Sequence, residues 1–108
     1  MNCRSRFLSG LAASLVLVPL ASHGVESQRE KELGNLLVHD CGSCHGTRLK
    51  GGLGPPLTSE RMQGLPESWI VQTILEGRQG TAMPPWRGLL SAEEASWLAR
   101  RLQTGLTN

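Results

Sequence analysis

The sequence predicts an all-α domain of three main helices joined by two loops rich in glycine and proline. Three observations carry this. Apolar residues recur at helical spacing in three separate segments, the stretches between them cluster Gly and Pro, and no segment alternates apolar with polar residues as a half-buried strand would. The 108 residues allow one small domain. A hydrophobic share of 39% is too high for a disordered chain, and a formal charge of +2 gives no case for a nucleic-acid or polybasic membrane surface.

The N-terminal segment comes first. Arg4 and Arg6 precede an almost unbroken apolar run from Leu8 to Leu20, and Ala21-Ser22-His23-Gly24 supplies small residues for cleavage. That is the layout of a secretory signal peptide over residues 1–24, cut near Val25. The run is about 13 residues, short of the roughly 20 that a membrane span requires. The expected mature domain is therefore 25–108, exported, with nine cations balanced by nine anions. Cys3 leaves with the leader, so Cys41 and Cys44 are the only cysteines that remain. Phe7 leaves with the leader too, so with three Trp and no Phe the domain has a thin core, and domains of this size commonly need a staple such as a disulfide, a metal or a cofactor.

The first helix is expected over Glu26 to Asp40, where charged Arg29, Glu30, Lys31 and Glu32 precede Leu33, Leu36 and Leu37 at helical spacing. Residues 46–59 hold four Gly together with Pro55-Pro56 and read as loop. Pro66 suits the first turn of a second helix, which carries Trp69, Ile70, Ile74 and Leu75 and stops at Gly77. A second loop, Arg78 to Gly88, contains Met83-Pro84-Pro85-Trp86. Ser91-Ala92-Glu93-Glu94 is a capping box opening the third helix, with Ala95, Leu98, Ala99 and Leu102 inward and Gly105 at its end.

Cys41-Gly42-Ser43-Cys44-His45 carries the chemistry. In C-x-x-C-H, two thiols can add to the two vinyl groups of a haem while the adjacent histidine reaches the iron from the same side. A thioredoxin-like redox pair wants a strand before the motif and a helix after it, the reverse of the order here. A zinc site wants two further ligands, and no other cysteine remains. A Cys41–Cys44 disulfide would close a tiny loop and leave His45 unexplained. Haem is the favoured reading, and it would also be the missing staple.

A sixth iron ligand would come from Met83 or Met62. His23 falls in the leader, and His39 lies only two residues before Cys41 and is held at the rim. Met83 is framed by Gly80-Thr81-Ala82 ahead and rigid Pro84-Pro85 behind, whereas Met62 has less framing and reads as packing. His/Met ligation leaves no open position and suits electron transfer; a peroxidase or a ligand sensor needs an open or labile site. Arg48, Lys50, Arg78 and Arg87 lie in the two loops, where they are solvated charges, propionate partners or a positive rim for an acidic redox partner. Trp86 reads as a packing residue.

Taken together, Cys41-Gly42-Ser43-Cys44-His45, Gly54-Pro55-Pro56-Leu57 and Met83-Pro84 stand in the order that resembles small bacterial class I cytochromes c, across the whole of 25–108. The resemblance implies a cytochrome c fold wrapped around one covalently bound haem, in the periplasm, and no catalytic residues. It also implies that the Pro55 carbonyl accepts the Nδ1–H of His45 and fixes its ring. More narrowly, Asp40 to Gly46, Leu49 to Pro55 and Gly80 to Trp86 are similar to the monohaem cytochrome encoded beside the haem-c/haem-d nitrite reductase of denitrifiers. That similarity implies electron donation to the reductase, or alternatively an accessory redox role in maturing its haem d-type cofactor. There is one departure. Class I proteins often carry a glycine and an aromatic residue on the first helix, facing the last; here Leu33 and Leu37 stand in those places, with Gly34 one step away and Trp97 expected to supply the aromatic from the last helix.

Overall fold

The computed structural model describes residues 27–106, so the expected leader at 1–24 lies outside the described residues. Helix α1 (Ser27–Leu36) runs into a π-helical turn (Leu37–Cys41) and continues as the short α2 (Gly42–His45). Then follow α3 (Ser59–Met62), α4 (Glu67–Glu76) and α5 (Ala92–Thr104). No strand occurs among the described residues, and no helix there is long and apolar enough to cross a membrane.

The three expected helices are present, with three differences. The first does not end at Asp40. It widens through the π turn and carries the cysteine motif itself in helical form, so that Cys41, Cys44 and His45 share a rigid support with α1. The four-residue α3 opens at Ser59, where continued loop was expected, and its Met62 is buried. Pro66 is the N-cap of α4, with ψ of 138°, and does not sit inside the first turn.

Helix α5 starts where its capping box predicts. The Glu94 N–H donates to Ser91 Oγ at 3.1 Å, and Ser91 N–H donates to Glu94 Oε2 at 2.8 Å. Its apolar stripe of Ala95, Leu98, Ala99 and Leu102 is buried with Leu33 and Leu37 of the N-terminal helix and with Ile70 and Leu75 of α4. Fully buried Ala95 and Ala99 supply the small residues of this cluster, where the class I pattern sets a glycine on the first helix. A Cβ on Gly34 would meet nothing within 4 Å, so that glycine is not the close contact.

Polar clasps lock α1 to α5. Trp97 Nε1 donates to Glu30 Oε1 at 3.1 Å, which is the aromatic contribution expected from the last helix. Arg29 Nε donates to Glu94 Oε1 at 2.5 Å, and the same guanidinium reaches Glu32 at 2.9 Å. The Arg29 guanidinium and then the Ser91 amide hold the Glu94 carboxyl below its ordinary range, while Glu94 and Glu32 push Arg29 further up. At the other end of α5, Gln103 Nε2 donates to the Leu65 carbonyl at 2.8 Å and ties in the α3–α4 connection.

Candidate haem site

The site is built outward from α2. Cys41 and Cys44 are three residues apart and lie on neighbouring turns of one helical face. Both are free thiols; Cys44 is exposed and Cys41 half-buried. Burial, with the nearby Asp40 charge adding to it, pushes the Cys41 thiol up to about 11. Ser43 Oγ donates to the Asp40 carbonyl at 2.6 Å and stiffens the turn between the two cysteines.

A helix end leaves its last carbonyls without partners. Here the glycine-rich loop folds back and supplies them, with Gly54 N–H donating to the Cys44 carbonyl and Gly51 N–H to the His45 carbonyl, both at 2.8 Å. Leu49 anchors that loop. It adopts a positive φ of 55°, unusual for a side chain of its size, and is held there by burial in the core and by backbone bonds to Gly46 and Leu57.

This fold-back sets the histidine. His45 Nδ1 lies 2.7 Å from the Pro55 carbonyl oxygen, and since a carbonyl only accepts, Nδ1 carries a proton, so that in the neutral ring Nε2 holds the lone pair. The contact implied by the resemblance is present. Gly54 makes it possible: a Cβ there would lie 2.7 Å from Nδ1 and 2.8 Å from Cε1 of the ring. The sequence marks Gly54 only as one of the glycines of the 46–59 loop, because the ring's close approach is a tertiary fact.

Met83 stands in the other loop, half-buried, between α4 and α5. The loop turns back on the end of α4, where Trp86 N–H donates to the Ile74 and Leu75 carbonyls at 3.1 Å. Trp86 packs against the core, as expected of it. Met62 is buried in the core cluster at 4% exposure, and His39 is exposed on the π turn. The structure thus brings Cys41, Cys44, His45, Gly54 and Pro55 into one unit and holds Met83 on a separate one.

The four loop cations divide. Arg78 lies 5.8 Å from the centre of the Trp69 ring, and Arg87 pairs with Glu76. Arg48 and Lys50 are exposed and make no ion pair among the described residues.

These residues fit a covalently held haem. Two unpaired thiols on one helical face precede an imidazole whose outer nitrogen is committed to a carbonyl and whose other nitrogen is free to ligate. Leu53, beside the glycine at the ring, is 95% exposed and offers apolar surface to a large flat group. No cluster of three or more His, Cys, Asp or Glu residues arranged for a metal ion occurs among the described residues.

Comparison with known proteins agrees with this chemistry. Residues 28–100 match the family described as cytochrome c oxidase, cbb3-type, subunit III. The chain is similar to cytochrome c55X of Pseudomonas aeruginosa, 52% identical over 86 residues that cover 80% of this chain and 72% of that protein. Among solved structures it resembles the c-type cytochrome NirC, with a TM-score of 0.71 and 54% identity, covering 73% of this chain and 93% of the other. It is also 36% identical over 95 residues to the Dihydro-heme d1 dehydrogenase of Pseudomonas aeruginosa, covering 88% of this chain but only 18% of that larger protein.

Proposed function

The chain belongs to the family of small c-type cytochromes, and from that premise we propose that it is an exported, periplasmic monohaem electron carrier of denitrification, donating to nitrite reductase. Its leader, residues 1–24, is removed and the cytochrome domain is 25–108. Cys41 and Cys44 would hold one haem through thioether bonds, each S–H adding across a vinyl group, and His45 Nε2 and the Met83 sulfur would ligate its iron. The haem supplies a one-electron iron couple when bound. The chain's own residues do the rest. The Pro55 carbonyl keeps the His45 proton on Nδ1 and the ring in one plane, and with His45 and Met83 both engaged the iron would have no position left for substrate chemistry. The carrying observation is the 2.7 Å contact between His45 Nδ1 and the Pro55 carbonyl, directly after two free thiols on the same helix.

The test is the protein made with a cytochrome c maturation system. Mass analysis should find residues 25–108 plus one haem that survives denaturation, lost in a Cys41→Ser, Cys44→Ser double variant. The oxidised form should show the weak sulfur-to-iron band, abolished by Met83→Ala. Free thiols, or thiols joined only to each other, in correctly processed material would overturn the reading.

The similarity to part of a dihydro-haem d1 dehydrogenase favours one second reading, a redox role in maturing the reductase's haem d-type cofactor. Two measurements separate them: the rate at which purified reductase oxidises this protein, and the haem content of reductase made in its absence.

A further inference from the structure

Met83 is held at both ends of its backbone by a single turn. Its N–H donates to the Thr81 hydroxyl at 3.3 Å, and its carbonyl accepts the Arg78 amide at 3.2 Å. The Thr81 hydroxyl in turn donates to the Arg78 carbonyl at 2.6 Å, where the Thr81 amide also arrives at 3.1 Å. Arg78 is itself moored, its guanidinium lying over Trp69 of α4. Before it, Gly77 lets the Met83 carbonyl pass where a Cβ would stand 2.7 Å from that oxygen. After Met83, Pro84 contributes no N–H. Among the described residues, the Thr81 hydroxyl is therefore the side-chain group that bonds the Met83 backbone. Thr81 is exposed, so its two bonds do not serve the core.

We infer that Thr81 is a positioning residue for Met83: its hydroxyl, bonded at once to the Met83 N–H and the Arg78 carbonyl, fixes the turn from which the thioether is presented to iron. The inference rests on the reading of Met83 as a ligand. Its consequence is in the firmness of ligation. With the hydroxyl gone the turn loosens, Met83 leaves the iron more readily, and a competing ligand enters.

The experiment titrates the haem-loaded oxidised protein with imidazole and follows the sulfur-to-iron band, with thermal melting in parallel. Thr81→Val keeps the shape and removes both bonds. It should bind imidazole about tenfold more tightly than the parent, the scale of one to two lost hydrogen bonds. Thr81→Ser, which retains the hydroxyl, should stay within about twofold of the parent. Thr81→Ala is a second route to the same loss at an exposed position. A residue of merely structural importance would lower the melting temperature without moving the imidazole affinity. If Met83→Ala abolishes the band while Thr81→Val and Thr81→Ala match the parent in imidazole affinity, the Thr81 role is overturned and the ligand assignment stands. Thr81→Ser behaving like Thr81→Val also overturns it. Should Met83→Ala keep the band, the ligand assignment falls and takes this role with it.

Discussion

Gly54→Ala tests the packing at the heart of the site. The added Cβ would lie 2.7 Å from His45 Nδ1, about 0.7 Å inside ordinary van der Waals contact. The Gly54 backbone has little room to retreat, because its N–H is bonded to the Cys44 carbonyl at 2.8 Å and its carbonyl accepts Gly52 N–H at 3.0 Å. If the ring moves instead, its 2.7 Å bond to the Pro55 carbonyl stretches toward about 3.4 Å, beyond the usual N–H···O range. Overpacking costs roughly 1–3 kcal/mol and the lost bond about 1 kcal/mol more, so the variant should lose roughly 2–4 kcal/mol. At about 4–8 °C per kcal/mol for a domain of this size, the haem-loaded protein should melt at least about 8 °C lower. Gly34→Ala is the control: the helical Cβ there meets nothing within 4 Å, so the substitution should stabilise by up to about 1 kcal/mol. The assay is thermal unfolding of both loaded variants followed by circular dichroism. A Gly54→Ala protein melting within about 3 °C of the parent would refute the reasoning.

Other expectations follow from the two helix clasps and the core. Glu94 is held below its ordinary 4.5 by Arg29 first and by the Ser91 amide second, so the unfolded chain takes up its proton more readily. The stabilisation is then fully present above that ordinary value and is lost as pH falls through the folded one; urea unfolding of Glu94→Gln should show a flatter acid limb than the parent. Met62→Ala removes a buried core side chain and should cost about 2–5 kcal/mol while leaving the sulfur-to-iron band intact. Loss of the band in Met62→Ala would exchange the roles of the two methionines.

The parts of this molecule that a sequence makes legible are those carried by local chemistry. The capping box at Ser91–Glu94, the apolar stripe of α5 and the Gly77 stop of α4 are all written within a few neighbouring residues, and each stands where expected. The cysteine spacing is equally local. The π turn is not, because a 3.6-residue period carries no mark of where a helix widens to i→i+5 bonding. Four-residue α3 is too short to display a period at all. The Arg29–Glu94 and Trp97–Glu30 clasps join residues more than sixty positions apart, and no local pattern pairs them. At the site, the His45–Pro55 contact came with the family resemblance. The space that Gly54 leaves for the ring and the two hydrogen bonds of the Thr81 hydroxyl exist only in the folded chain, since glycine and threonine in loops are ordinary residues until their neighbours are known.

The cysteine motif is continuous with α1, and α1 is closed by α5 at the opposite end of the chain. A polypeptide is made from its N-terminus at about 5–20 residues per second, so roughly three to ten seconds separate the birth of Cys44 from that of Glu94 and Trp97. For that interval the clasp has no second half. A truncation that removes α5 would therefore leave the motif chemically whole but without the frame that closes α1.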